Sequence, residues 1–240
     1  MGNNGNGKRQ SIFDIRVFCV GSKPLLMNQW GEEKMVKDII FKERGVPDTT
    51  TPLPDRAKLT IFRDGDDQIS LPTEQISSSL CEAGCDIPLK GKVNLSKAGG
   101  KVSKIPSFMD ILDGEFVRLL LPDGTPAMDK DWRYDVRRVI LKDGGTSCAV
   151  RAKFMHWAFI INVRVDLSKV PGLTLETVRK LFDEAGNSKG VGGFRKAFGR
   201  FVVADGGWLV TTVDPSTIVR PKAPAILMAA PKGRDVVQAA

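Results

Sequence analysis

The sequence predicts an α+β protein, an antiparallel sheet carrying helices, and three patterns lead there. From Ser11 to Val20 apolar and polar residues alternate, the period of a half-buried strand. At 32–43 and again at 174–186 apolar residues recur every three or four positions, the period of a helix packed on one face. From Glu115 to Val165 strand-like segments dominate.

In the first strand Phe13, Ile15, Val17 and Cys19 share a face, and residues 21–29 form a loop. Met35, Val36, Ile39 and Ile40 make the stripe of the first helix, which Gly45-Val-Pro47 stops. After a connector at 49–54, Ala57 to Arg63 reads as a second strand, turned by Asp64-Gly-Asp-Asp67. Leu71-Pro-Thr-Glu opens a short helix, with Thr73 as N-cap and Ile76 and Leu80 facing inward. Residues 89–104 differ in kind: Lys90, Lys92, Lys97, Lys101 and Lys104 are interspersed with Gly91, Gly99 and Gly100, with no acid between them, which predicts a flexible basic loop insertion.

Strands follow at 115–121, 134–141 and 148–165. The last exceeds the usual limit of ~10 residues and must bend near Met155-His-Trp157. The helix from Thr174 buries Leu175, Val178, Leu181, Phe182 and Ala185 and stops at Gly186, a C′ glycine. Arg200–Val203 and Trp208–Val213 read as a hairpin across Asp205-Gly-Gly207. The order is compatible with a modified ferredoxin-like or RNA-recognition-like core carrying the basic insertion. The domain then covers 11–214, between a flexible polar N-terminus at 1–10 and a Pro- and Ala-rich tail or arm at 215–240.

Thirty-six Lys and Arg against 28 Asp and Glu give a net charge of +8. Clustered cations gain affinity for polyanions by releasing condensed counterions, so a nucleic-acid partner is expected. The chain has no apolar run of membrane-spanning length and no apolar segment of the secretory type near its start, and its four cysteines lack the density of a disulfide framework. A cytoplasmic protein without a membrane partner is expected.

Catalytic chemistry is thinly provided. His156 is the only histidine and sits between Met155 and Trp157, and general acid-base work needs a partner within hydrogen-bond reach. Cys81 and Cys85 have too few companions for zinc. Asp64-Gly-Asp-Asp67 fits a polar turn better than a two-metal site. Gly190-Val-Gly-Gly193 lacks the phosphate-loop pattern and follows a helix instead of opening one. No catalytic residue, metal or other cofactor is therefore expected. A nuclease using Asp64, Asp66, Asp67 or His156 is the second reading, and a phage structural or inhibitor protein with a protein partner is the third.

What remains is basic and aromatic. Residues 186–201 combine glycines with Phe194, Phe198, Phe201 and four cations, Lys189, Arg195, Lys196 and Arg200. Glycines admit φ > 0 and let a backbone approach a ligand, while the cations and exposed amides bind anions. Gly190, Gly192 and Gly193 are expected to shape the turn, and Phe198 and Phe201 to enter the core. Arg133, Arg137 and Arg138 accompany Trp132 and Tyr134, and Arg151 and Lys153 precede Phe154. Such mixtures suit RNA or single-stranded DNA, because cations hold phosphates while rings stack on bases.

Gly190-Val-Gly-Gly-Phe-Arg-Lys-Ala-Phe-Gly-Arg-Phe201, after a helix and before a strand, resembles the glycine-rich loop of the RAMP superfamily, RNA-binding proteins that form backbone and processing subunits of CRISPR effector complexes. Residues 71–83 resemble the strand-to-helix motif of its backbone-type members. Pro24-Leu-Leu-Met-Asn28 and Gly193–Phe201 are similar to motifs of a group of uncharacterised phage and prophage proteins, with Phe194 in place of the usual tryptophan and Lys196 of the usual proline. The resemblance implies a modified RNA-recognition fold that binds RNA or single-stranded DNA along its backbone. It also implies a homo-oligomer or filament subunit, or a place in a multi-subunit ribonucleoprotein. Processing members commonly use a histidine and some backbone members an aspartate; no residue here matches either motif, so binding without catalysis is expected, with the lysine loop closing over the strand.

Overall fold

Strand β1 (Ile12–Gly21) buries Ile15, Val17 and Cys19 on one face, as its alternation requires. The computed structural model to which it belongs describes residues 11–29, 50–89, 93–140, 146–195 and 197–214. After β1 come the short β2 (Leu25–Leu26), α1 (Leu53–Lys58), β3 (Ser70–Pro72), α2 (Thr73–Ala83), β4 (Ser96–Lys97) and β5 (Val102–Ser103). Then follow α3 (Ile105–Phe108), β6 (Met109–Ile111), β7 (Phe116–Leu120), β8 (Trp132–Ile140), β9 (Thr146–Phe154), β10 (Ala158–Asp166), α4 (Leu175–Glu184) and β11 (Phe201–Thr212).

The main sheet runs β11-β1-β10-β7-β3 with every pairing antiparallel, and β6 also pairs with β10. Taken as strands one to four, β1, β7, β10 and β11 lie in the order 4-1-3-2, with α2 in the first crossover and α4 in the second. This is the split βαβ arrangement of a ferredoxin-like core. One face of the sheet presents Val17, Phe159, Ile161, Val117 and Phe201 to Ile76 and Leu80 of α2 and Val178, Leu181 and Phe182 of α4, all buried. Each such side chain contributes about 1.5–3 kcal/mol on leaving water. On the other face Arg164 clasps Asp14 with two hydrogen bonds, at 2.7 and 2.8 Å, and Asp113 holds the Asn162 amide. A second sheet, β2-β9-β8, is built on the long hairpin inserted between β7 and β10.

Ala57 lies in α1, where the sequence predicts a strand: Pro52 and Pro54 preset the first turn and Asp55 suits its positive end, local start signals that outweigh the short alternation. Thr73 does not cap α2. Pro72 precedes the helix, and the Thr73 hydroxyl donates to the Gly114 carbonyl at 2.8 Å, so the β3–β7 pairing sets where the helix begins. From Val93 onward the basic segment is folded, not a flexible loop. Leu95 and Ser96 are buried, β4 pairs with β5, and the Gly100 backbone lies against α2, where a Cβ would come within 2.8 Å of the Glu82 nitrogen.

Helix α4 is capped by Thr174, whose hydroxyl accepts from the Thr177 amide. It does not stop at Gly186. A π turn continues it through Lys189 and ends at Gly190, φ 71°, while Gly186 is needed because a Cβ would sit 2.2 Å from the Phe201 carbonyl oxygen. Residues 200–213 form no hairpin. Phe201–Thr212 make one strand, β11, along β1 with a bulge, in which Val17 faces Trp208 and Cys19 faces Val203, and Gly206 at φ 70° absorbs the extra length. The predicted bend at Met155-His-Trp157 separates β9 from β10, and it leaves His156 exposed at a turn instead of inside a strand. The helix predicted at 32–43, the N-terminus at 1–10 and the tail at 215–240 lie outside the described residues.

Candidate nucleic-acid interface

The glycine-rich segment is pinned to three elements. The Gly199 amide donates to the Pro24 carbonyl (2.8 Å) and the Gly193 amide to that of Leu26 (2.7 Å), tying it to β2; the Gly192 amide donates to the Gln75 side chain of α2 (3.0 Å). The Val191 amide closes the loop on Gly199 at 2.9 Å. Gly190 and Gly192 have φ of 71° and 77°, as a turn role requires. Gly193 serves differently: its missing side chain admits Arg151, whose Nη1 lies 2.5 Å from where a Cβ would be.

The hairpin supplies the opposite wall. In its register Arg133 faces Lys153, Asp135 faces Arg151 and Arg137 faces Ala149, so these residues share one side of the ribbon. That side meets the loop, with Arg137 over the Phe198 ring (4.3 Å) and Arg151 over the Phe194 ring (4.6 Å). Asp135 takes Lys153 and Arg137, each at 2.6 Å. Burial alone would raise its pKa, yet the hydrogen bonds from Lys153 and Arg137 hold it below the ordinary carboxylate range.

Between these walls is a cleft of about 820 Å³, lined by Arg137, Arg138, Lys189, Arg195, Arg200, Phe194 and Phe198, with Glu82 as the one carboxylate among its lining residues. Arg195 pairs with Glu82 at 2.8 Å and Lys189 with Asp86 at 2.5 Å, both acids coming from the end of α2 and the turn after it. The Asp86 hydrogen bond raises the Lys189 pKa. Burial, followed by the neighbouring Arg195 charge, lowers that of Arg200, and burial lowers that of Arg151. Cations crowded in this way gain when an anion enters.

The structure thus joins Arg137, Lys189, Gly190, Gly192, Gly193, Arg195 and Arg200 in one place. It leaves others out. Arg133 is exposed on the hairpin but does not line the cleft, and Lys97, Lys101 and Lys104 are exposed on the β4–β5 segment, which meets α2 beside Glu82 without reaching into the cleft. Lys90, Lys92 and Lys196 lie outside the described residues. Phe201 is buried as expected, whereas Phe198 is only half-buried, because Arg137 and not the core covers its ring. Gln75 is a contributor that the sequence did not reveal, and Arg151, expected only as part of the basic and aromatic mixture before Phe154, proves to be the residue that backs the Phe194 ring. That role was within reach, since Arg151 falls on the same alternation as Lys153.

The carboxylates of the second reading are otherwise engaged. Asp64 accepts from the Asp66 and Gln68 amides at 3.0 Å, and Arg118 pairs with Asp64 and Asp66. Desolvation works the other way, but the Gln68 amide and Arg118 keep the Asp64 pKa below its usual value. Among the described residues no group of three or more His, Cys, Asp or Glu is placed to hold a metal ion, and no helix is long and apolar enough to cross a membrane.

No protein-family model matches the chain, and no curated protein does. Among solved structures it is similar to a chain of the Type III-B Cmr-beta complex bound to cognate target RNA, seen by cryo-electron microscopy. The TM-score is 0.40 and the identity 10%, over 84% of this chain and 61% of that one.

Proposed function

We propose that this protein binds RNA or single-stranded DNA along its phosphate backbone without cleaving it, as an oligomer or as one subunit of a ribonucleoprotein. The observation that carries the proposal is the cleft: five cations, one carboxylate and two aromatic rings line a single groove. Phosphates gain from Arg137, Arg195 and Arg200, and Lys97, Lys101 and Lys104 flank the path beside α2. The likeness of the glycine loop to that of CRISPR backbone subunits supports the same reading, with 11–214 as the binding domain.

Gel shifts with labelled single-stranded RNA and DNA at several salt concentrations test it. Log affinity is expected to fall linearly with log salt, by about 0.7 per phosphate neutralised. Binding that is absent, or indifferent to salt, would sink the proposal. The same oligonucleotides should stay intact with magnesium present; cleavage abolished by Asp66→Ala would replace it with the nuclease reading.

The acids beside the cleft make a further prediction. Glu82 competes with phosphate for Arg195, so Glu82→Gln is expected to tighten binding about twofold to fivefold at low salt, the effect of one exposed charge pair. Unchanged or weaker binding by a folded Glu82→Gln protein would place the phosphate path away from Arg195.

A further inference from the structure

Phe194 is held in an unusual state. Its φ is 52°, one of three positive values among the described non-glycine residues, and an aromatic side chain rarely adopts that conformation. Burial does not explain it, since the residue is 37% exposed. Its ring lines the cleft, and one face is covered by the Arg151 guanidinium at 4.6 Å.

Arg151 is placed for that contact. Gly193, the residue before Phe194, leaves the space that Nη1 occupies. Among the described residues no carboxylate lies within ion-pair distance of Arg151, whereas Arg137, Lys189 and Arg195 each have one. A cation over one face of a ring fixes its plane at little entropic cost and leaves the other face to a second flat group.

We propose that Phe194, on the ring face away from Arg151, stacks one unpaired nucleobase, with Arg151 backing the ring and the cations of the cleft holding the adjoining phosphates. The inference rests on the function proposed above and narrows it. In a duplex both faces of each base are taken by its neighbours, so such a platform selects single strands, RNA or DNA alike. Phe198 is not an equivalent platform, because it is half-buried beneath Arg137.

The test uses short adenine-rich RNA and DNA strands carrying 2-aminopurine, whose fluorescence is quenched on stacking. The wild-type protein is expected to quench both. Phe194→Ala should bind about tenfold more weakly, with an unchanged salt slope and no quenching, because a stack and not a charge is lost. Phe194→Trp should restore both properties, and Phe194→Leu, which keeps apolar bulk without a ring, should behave like the alanine variant. Thermal melts establish that each variant is folded. Phe194→Ala affinity within twofold of wild type overturns the stacking proposal, as does duplex DNA bound equally well with the same dependence on Phe194. Salt-dependent binding indifferent to Phe194 defeats the stack alone, whereas no binding by the wild-type protein defeats the proposed function as well.

Discussion

Replacing Arg137 and Arg195 together by alanine is expected to weaken single-strand binding about a hundredfold at low salt and to flatten the salt dependence by about 1.4 in log-log slope. The first figure follows from two charge-assisted contacts of about 1.5 kcal/mol each. The second follows from two phosphates no longer neutralised, at ~0.7 apiece. Of the two, only the Arg195 substitution strands an acid: Glu82 loses its partner inside the cleft, whereas Asp135 keeps Lys153 at 2.6 Å. Both arginine side chains are more than a third exposed, 38% and 37%, so their ion pairs contribute at most about 1 kcal/mol to folding. The double variant should therefore melt within a few degrees of wild type. Gel shifts across a salt series check the prediction. Weakened binding with an unchanged slope would mean that these arginines touch something other than phosphate.

The second large effect concerns the loop that carries the site. Gly199 has φ 67°, and a Cβ there would lie 1.8 Å from the Val191 carbonyl oxygen, a backbone atom that cannot swing aside. Gly199→Ala must therefore strain φ, at about 1–2 kcal/mol, and push apart the strands of the loop. That endangers the hydrogen bonds from Val191 to Gly199 and from Gly199 to Pro24, worth about 1 kcal/mol each. A destabilisation of about 3 kcal/mol is expected in urea unfolding, together with loss of nucleic-acid binding. Gly65→Ala is the control: no atom lies within 4 Å of its added carbon and its φ is not positive, so a change within about 0.5 kcal/mol is expected. Wild-type stability in Gly199→Ala would show that the loop is not pinned to β2 and Val191 in this way.

Much of the architecture is legible where structure is local. The alternation of Ile15, Val17 and Cys19, the stripe of Val178, Leu181 and Phe182, and the break at Met155-His-Trp157 can each be read within a dozen residues, and each appears where it is expected. Apart from α1, whose start signals are local, the failures share a cause. Gly186 and the Asp205-Gly-Gly207 segment carry good stop and turn signals, but the reasons for those glycines lie on distant strands: the Phe201 carbonyl for Gly186, the Phe18 carbonyl for Gly207. Likewise the lysine-rich run looks unstructured by composition, yet Leu95 and Ser96 anchor it to the core.

The candidate site divides in the same way. Its inventory of cations, rings and glycines is present in one short stretch and one hairpin, and the expectation of a polyanion rests on that charge and spacing. Residue chemistry and period are properties of neighbours in the chain, and so were decided before folding. The placement of Arg151 behind Phe194, the partnership of Arg137 with Phe198, and the acids Glu82 and Asp86 set against Arg195 and Lys189 were decided only by tertiary structure. They depend on the register of β8 with β9 and on the docking of the loop against β2 and α2, contacts between segments far apart in sequence that only the packing of the whole chain brings within reach.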